Sequence, residues 1–142
     1  VAAVGLPDLG VVFASDDAKA VSGPLSRKIV ISHNQPPEVA KFVANKMNFE
    51  TTLMGSAGAK AMHVLLGDAD AYIHAGGQYE WDSAAPVGVC TAAGLHCSRL
   101  DGSSLNYNNK DTYLPDLLIC RPELAEEILE LVAAYREEHG SY

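Results

Sequence analysis

Positive charge is scarce in this sequence. Ten Lys and Arg residues stand against eighteen Asp and Glu, which gives a net charge of −8 at pH 7. Neutralising a nucleic-acid backbone needs a surplus of Lys and Arg, so this balance argues against a nucleic-acid-binding surface. Long apolar runs are also missing, since no stretch approaches the roughly 20 residues that a membrane-spanning helix needs. We therefore expect neither a nucleic acid nor a membrane as a partner.

Cysteine is rare as well. The three cysteines are Cys90, Cys97 and Cys120, and no two of them form a Cys-x-x-Cys pair. The sequence therefore predicts neither a disulfide framework nor a zinc site. We expect buried, reduced thiols, as in a cytoplasmic protein.

Apolar residues are abundant: they make up 48% of the 142 residues, enough for one domain with a core. Short strand-like runs alternate with segments of helical periodicity, and this alternation predicts an α/β domain in which a sheet and helices form layers. The predicted strands are 28–32, 49–54, 70–74, 95–99 and 117–120, and the predicted helices are 36–47, 57–66, 82–93 and 122–138.

The first residues are typical of the interior of a protein. The chain begins with Val1, and it opens with neither a basic n-region nor a signal-peptide cleavage pattern. Residues 7–10 have turn chemistry, and residues 11–13 are strand formers. These features predict that the chain is a fragment.

A Gly-Ser pair follows the predicted strand 49–54. Gly55 and Ser56 open the helix 57–66, where backbone amides at the positive end of the helix dipole suit a phosphate. Lys60 lies one helical turn beyond Ser56, so both side chains can face one anion. The alternative is an ordinary capped helix with a surface lysine.

A second polar group follows the strand 28–32. Ser32 and His33 stand near the carboxyl end of that strand, where open α/β sheets bind their ligands. The alternative interpretation is a simple turn.

The third segment is the run GGQYEWDSAAP at residues 76–86. A glycine-rich approach leads to Asp82, which we place at the start of the helix 82–93. A carboxylate in this position can cap free backbone donors, or it can bind a hard cation such as Mg²⁺.

The WDSAAP stretch at residues 81–86 resembles the signature of the inositol-monophosphatase-like phosphatases. Together with GSAGAK, GLHCSR, DGSSLNYNN and YLPDLLICRP, it makes nearly the whole chain closely similar to bacterial 3′(2′),5′-bisphosphate nucleotidases of the CysQ type. The resemblance implies the C-terminal half of a layered αβαβα fold. The family's Asp-Pro-[Ile/Leu]-Asp-Gly-Thr motif, which supplies metal ligands from the N-terminal half, is absent from this sequence.

The resemblance also implies residue roles. Asp82 would ligate a catalytic Mg²⁺ beside the scissile phosphate, while Gly55, Ser56 and Lys60 would contact the nucleotide. Ser32 would join them. Many members have an arginine where this chain has His33, which puts a phosphate role at that position in question. Other catalytic groups are expected in the N-terminal half.

The implied activity is Mg²⁺-dependent removal of the 3′-phosphate from 3′-phosphoadenosine 5′-phosphate, which gives AMP. The alternatives are an inositol or sugar monophosphatase of the same superfamily, and a binding module without catalysis. The expected partners are a nucleotide bisphosphate and the N-terminal half of the enzyme, with a homodimer left open. We assign residues 1–27 to the end of an N-terminal sheet with a linker, and residues 28–142 to a C-terminal α/β subdomain.

Overall fold

The computed structural model describes the backbone of residues 3–6, 11–14, 23–105 and 113–142, and the side chains of residues 23–76, 84–105 and 115–142. Within these ranges the strands are β1 (Ala3–Leu6), β2 (Val11–Ala14), β3 (Lys28–Ser32), β4 (Glu50–Met54), β5 (Ala71–Tyr79), β6 (His96–Ser98) and β7 (Tyr113–Cys120). The α-helices are α1 (Glu38–Met47), α2 (Ala57–Leu66), α3 (Glu80–Ala92) and α4 (Ala125–His139). None of these helices is long and apolar enough to cross a bilayer.

Five strands form the central sheet in the order β4-β3-β5-β7-β6. Strand β3 runs parallel to both β4 and β5, whereas β7 runs antiparallel to β5 and β6. The two short strands β1 and β2 form a separate antiparallel hairpin, and the backbone of β1 lies close to α2 and α3. The predicted α/β sandwich is confirmed. The predicted turn at 7–10 lies outside the described residues.

Helices cover both faces of the sheet, which explains why β3 has no polar alternation. Ile29 and Ile31 face α1 and α4, whereas Val30 faces α2 and α3, and all three side chains are buried. A strand that is buried on both faces is a continuous apolar run, because neither side meets water. The core therefore has two layers, one on each side of the sheet.

Strand β5 is longer than the sequence predicts. We expected a strand at 70–74 followed by a flexible glycine segment, but β5 begins at Ala71 and continues to Tyr79. Its antiparallel partner β7 supplies backbone hydrogen bonds along the additional length, and the register shifts between Ala75 and Gln78. Gly76 has a φ of +103° there, which fits such a bulge because glycine has no Cβ.

Helix α3 begins earlier than the sequence predicts. Its first residue is Glu80, so Asp82 lies inside the first turn rather than at the cap. The predicted helix start at residue 82 is therefore wrong by two residues, and the role of the Asp82 side chain stays a prediction. The helix continues directly from β5 with no intervening loop, because the strand extends through the glycines.

The last predicted helix is divided in two. Residues Pro122–Leu124 form a 3₁₀ turn, and α4 follows it directly. The glutamates Glu126, Glu127 and Glu130 of α4 are exposed, as expected for a solvated face.

The cysteines are free, as expected. Cys90 and Cys120 are buried, and Cys97 is half-buried. Burial raises the pKa of the Cys97 thiol to about 11 and that of Cys120 to about 12. Thiols with such values hold almost no thiolate at neutral pH, so they are poor nucleophiles and poor metal ligands.

The sequence analysis did not anticipate a charged clamp at the edge of the sheet where β3 begins. The carboxylate of Asp70 is fully buried and accepts hydrogen bonds from the amide and hydroxyl of Ser26 and from the amide of Arg27. The guanidinium of Arg121 lies 4.0 Å from Asp70 and donates to the carbonyls of Gly23 and Pro24. The two charged side chains therefore fix the segment that leads into β3.

Candidate functional site

The site is built where β3 and β4 end. The two strands are parallel, so their carboxyl ends lie at the same edge of the sheet. The amide of His33 donates to the carbonyl of Met54 at 3.0 Å and continues the pairing one residue beyond the strands. This contact brings the residue after β3 next to Gly55, the residue after β4.

The backbone of Gly55 is closely packed. A Cβ added there would lie 3.3 Å from Cε1 of His33, closer than such contacts usually are. The imidazole therefore lies against the backbone of Gly55. The two polar segments predicted separately therefore lie side by side, and His33 is exposed.

Ser32 lies in the turn that the alternative interpretation predicted. Its hydroxyl oxygen accepts a hydrogen bond from the amide of Asn34 at 3.3 Å, which is the local contact of a turn. The predicted turn is therefore present, and it also holds His33 at the end of the strand. Ser32 is half-buried, whereas His33 is exposed.

Ser56 caps helix α2 as predicted. Its backbone is extended, and its side-chain oxygen accepts from the amide of Ala59 at 3.3 Å. This contact satisfies one of the free amides of the first turn, and the others remain at the positive end of the helix dipole. The first turn contains no acidic residue, so no side chain of the helix neutralises that end.

Lys60 is buried rather than exposed, so the interpretation as a surface lysine is wrong. The residue is 3% exposed, and its Nζ donates to the carbonyl of Gly55 at 3.0 Å. The ammonium also lies over the ring of Tyr72, 5.1 Å from the centroid. Among the described residues no carboxylate lies within ion-pair distance of it. Burial lowers the pKa of Lys60 from its ordinary value of 10.5.

Among the described residues, the Gly55 carbonyl and the Tyr72 ring that contact this buried ammonium are both neutral, which is an uncommon arrangement. Buried charges are normally paired, because moving a single ion from water into a protein interior costs on the order of several kcal/mol. Here a carbonyl oxygen and an aromatic face compensate part of that cost, but neither cancels the positive charge. Lys60 and the amide end of α2 therefore make this edge of the sheet attractive to an anion.

For Asp82, only the position of the backbone is described. Strand β5 is parallel to β3, so its carboxyl end and the start of α3 belong to the same edge of the sheet as Gly55 and Ser56. The side chain of Asp82 lies outside the described residues, and its predicted metal role stays a prediction. No group of three His, Cys, Asp or Glu side chains that could hold a metal occurs in the described part of the chain.

Sequence reasoning missed Tyr72 and the Asp70–Arg121 clamp. Tyr72 stands in the middle of a buried strand, where an aromatic residue indicates only core packing. Asp70 and Arg121 do carry a signal, since each is a charged residue directly beside a buried strand.

With the geometry established, the chain can be compared with known proteins. The profile of the inositol monophosphatase family matches residues 10–141, and the chain belongs to this family. The chain is 51% identical over 136 residues to a protein of Mycobacterium leprae named 3′-phosphoadenosine 5′-phosphate phosphatase, covering 92% of this chain and 50% of that protein. A protein of Mycobacterium tuberculosis with the same name is 50% identical over 137 residues, covering 93% and 51%. The chain thus spans about half the length of the curated relatives it matches.

Solved structures show the same fold. SaIMPase-II with inositol monophosphate bound superposes with a TM-score of 0.67 at 20% identity, covering 86% of this chain and 48% of that one. The same protein with 2′AMP bound gives a TM-score of 0.62 at 19% identity, covering 86% and 51%. The Thermotoga maritima IMPase gives 0.65 at 18% identity, covering 85% and 46%. The expected fold of layered sheet and helices is therefore confirmed, over about half the length of each of these structures.

Proposed function

We propose that this chain forms the phosphate-binding part of a Mg²⁺-dependent phosphatase that converts 3′-phosphoadenosine 5′-phosphate to AMP. The single observation that carries the proposal is the buried ammonium of Lys60, which has no carboxylate partner among the described residues and lies beside the capped start of α2. The names of the mycobacterial relatives support the choice of substrate.

Each residue at the strand ends has a defined part in this proposal. In this proposal the free amides of α2 donate to phosphate oxygens. The Lys60 ammonium supplies a positive charge that attracts the negative phosphate. Ser56 holds the first turn in place, and Gly55 leaves the room that His33 needs. His33, exposed beside Gly55, contacts the substrate in this proposal together with Ser32.

The metal requires groups beyond the described residues. Mg²⁺ takes carboxylate oxygens and water, and the one carboxylate assigned to it here is Asp82. One carboxylate does not make a catalytic metal site, so the described residues do not fit a complete Mg²⁺ centre. The proposal is that Asp82 contributes one ligand and an N-terminal half supplies the others. The metal would activate water and stabilise the leaving oxygen.

Phosphate binding by the 142-residue chain tests the proposal directly. Inorganic phosphate is titrated into the wild-type chain and into Lys60→Gln while amide NMR signals are followed. The expected result is that shifts concentrate at residues 55–60 and that Lys60→Gln weakens binding about tenfold or more, as for the loss of a charge-assisted contact.

The matched control is Lys41→Gln. Lys41 is an exposed lysine on α1 that pairs with Glu38, so its removal changes the net charge equally without touching the site. Equal phosphate affinity in all three proteins would contradict the proposal.

A further inference from the structure

The ring of Tyr72, which is uncharged, lies under the Lys60 ammonium, and we call this ring the floor. Tyr72 is 1% exposed near the start of β5, and its backbone pairs with Val30 of β3. It belongs to the apolar cluster that also contains Ala61 and Met62, the residues directly after Lys60 on α2. The ring is therefore fixed by the core, and the lysine reaches it from the adjoining helix.

The chemistry of this floor differs from that of an ordinary counter-ion. The face of an aromatic ring attracts a cation through its quadrupole and carries no net charge. A carboxylate in the same place would hold Lys60 more strongly, but it would neutralise the ammonium and repel an incoming phosphate. The Gly55 carbonyl, which also contacts the ammonium, is neutral as well. No carboxylate among the described residues neutralises the ammonium, so its positive charge can attract a ligand.

We propose that Tyr72 is a positioning residue for anion binding: its ring holds the Lys60 ammonium beside the start of α2 without neutralising it. This inference deepens the proposed function and rests on it for the ligand. The ligand class is a phosphate group. Tyr72 acts through Lys60, and no contact of its own with the phosphate is invoked.

The test varies the ring quadrupole and leaves the shape of the side chain nearly constant. Tyr72→Phe keeps the aromatic face and removes the hydroxyl, so it serves as the control. Pentafluorophenylalanine, introduced at position 72 by unnatural amino-acid incorporation, keeps the outline of phenylalanine and reverses the sign of the quadrupole. Amide spectra of the 142-residue chain verify that both variants keep the native fold.

Two measurements are made on each protein. The first is the dissociation constant for inorganic phosphate, and the second is the Lys60 pKa, read from the side-chain Cε or Nζ resonance against pH. Tyr72→Phe is expected to stay within about twofold of wild type in affinity. The pentafluoro variant is expected to bind phosphate about fivefold to tenfold more weakly and to show a further fall in the Lys60 pKa of roughly half a unit or more.

Among the described residues, His74 is a titratable side chain close to Tyr72, since the two ring centroids lie 6.4 Å apart. The titrations are therefore repeated in a His74→Gln background, in which the difference between the two ring variants is expected to persist. A difference that vanishes with His74 would overturn the assignment to Lys60.

The outcomes separate this inference from the proposed function. Suppose that Lys60→Gln abolishes phosphate binding, but the Phe and pentafluoro variants at position 72 bind phosphate equally and have equal Lys60 pKa values. The positioning role of Tyr72 is then refuted, and the phosphate site stands. If the wild-type chain binds no phosphate but the Lys60 pKa still follows the ring quadrupole, the floor holds the ammonium as inferred and the proposed function fails. A pentafluoro variant that does not fold is replaced by Tyr72→Leu, for which the same fall in the Lys60 pKa is expected and an unchanged pKa is a refutation.

Discussion

The imidazole of His33 lies against the backbone of Gly55 so closely that a single methyl group would meet Cε1 at 3.3 Å. This contact joins the residue after β3 to the residue after β4, and the hydrogen bond from His33 to Met54 holds it from the other side. The two polar segments that stand more than twenty positions apart in the sequence are one surface in the folded chain.

Gly55→Ala should disturb ligand binding more than folding. The new Cβ displaces the His33 ring by a few tenths of an ångström, and because that ring is exposed the free energy of unfolding should change by less than about 0.5 kcal/mol. Phosphate affinity should fall roughly two- to fivefold, measured by NMR titration. In a His33→Ala background the same substitution should have no further effect. An equal loss of affinity in that background would show that the displaced ring is not the cause.

Lys60 should make stability depend on pH in the alkaline range. Its pKa is lowered in the folded chain and returns to the ordinary value of 10.5 on unfolding. Between those two values the unfolded chain binds a proton that the folded chain does not, so the free energy of unfolding rises with pH. Below the lowered pKa the ammonium is charged in both states and the cost of burying it is fully present.

Urea unfolding from pH 8 to 10.5 measures this effect. The wild-type chain should gain stability with pH relative to Lys60→Met, which lacks the titrating group. Lys41→Met provides the control, because the side chain of Lys41 is 48% exposed and its removal should leave the slope unchanged. Parallel curves for wild type and Lys60→Met would contradict the burial of the charge.

Lys60→Ala should distinguish nucleotide bisphosphates from inositol phosphates as substrates. In a protein that supplies the N-terminal half, we expect Lys60 to hold the phosphate that is not cleaved, because its site needs no metal. A monophosphate has no second group to place there. The kcat/KM for 3′-phosphoadenosine 5′-phosphate should therefore fall about tenfold to a hundredfold, as for a charge-assisted contact, with a much smaller loss on an inositol monophosphate. Equal losses on both substrates would place Lys60 at the scissile phosphate instead.

Asp82→Asn should separate a metal ligand from a structural residue. Asparagine keeps the size of the side chain but brings no charge to a cation, so in the complete phosphatase kcat should fall by orders of magnitude while the fold is kept. The melting temperature and the activity per folded molecule are measured together, across a range of Mg²⁺ concentrations. The 142-residue chain without an N-terminal half should show no significant turnover. Full activity of Asp82→Asn at low Mg²⁺ would contradict the assignment.

Asp70→Ala should be the most destabilising of these substitutions. It leaves the amides of Ser26 and Arg27 without their acceptor and Arg121 without its buried countercharge, a loss of about 3–5 kcal/mol in the free energy of unfolding. Asp68→Ala is the control: that side chain is 62% exposed and its pairing with His63 is long, so the change should stay within about 0.5 kcal/mol. Chemical unfolding of both variants decides the matter, and similar costs would show that the clamp contributes little.

Elements with local sequence signals could be predicted from the sequence alone. Strand β3 follows from an uninterrupted β-branched run, and helix α2 follows from a serine cap at one end and Gly67 in the left-handed conformation at the other. Each signal depends on neighbours within a few residues. The same local chemistry predicted that Gly55, Ser56 and Lys60 belong to one anion site.

Features that depend on partners distant in the sequence are visible only in the tertiary structure. Strand β5 extends to Tyr79 because β7 pairs with it from about forty residues away, and this extension moves the start of α3 to Glu80. Lys60 is buried because a strand that follows it in the chain places Tyr72 beneath its ammonium. The sequence does not show whether a lysine on a helix is buried, because its burial depends on the elements that pack around it in the fold. Asp70 and Arg121, more than fifty positions apart, meet for the same reason: β5 and β7 are antiparallel, so the residue before one lies beside the residue after the other.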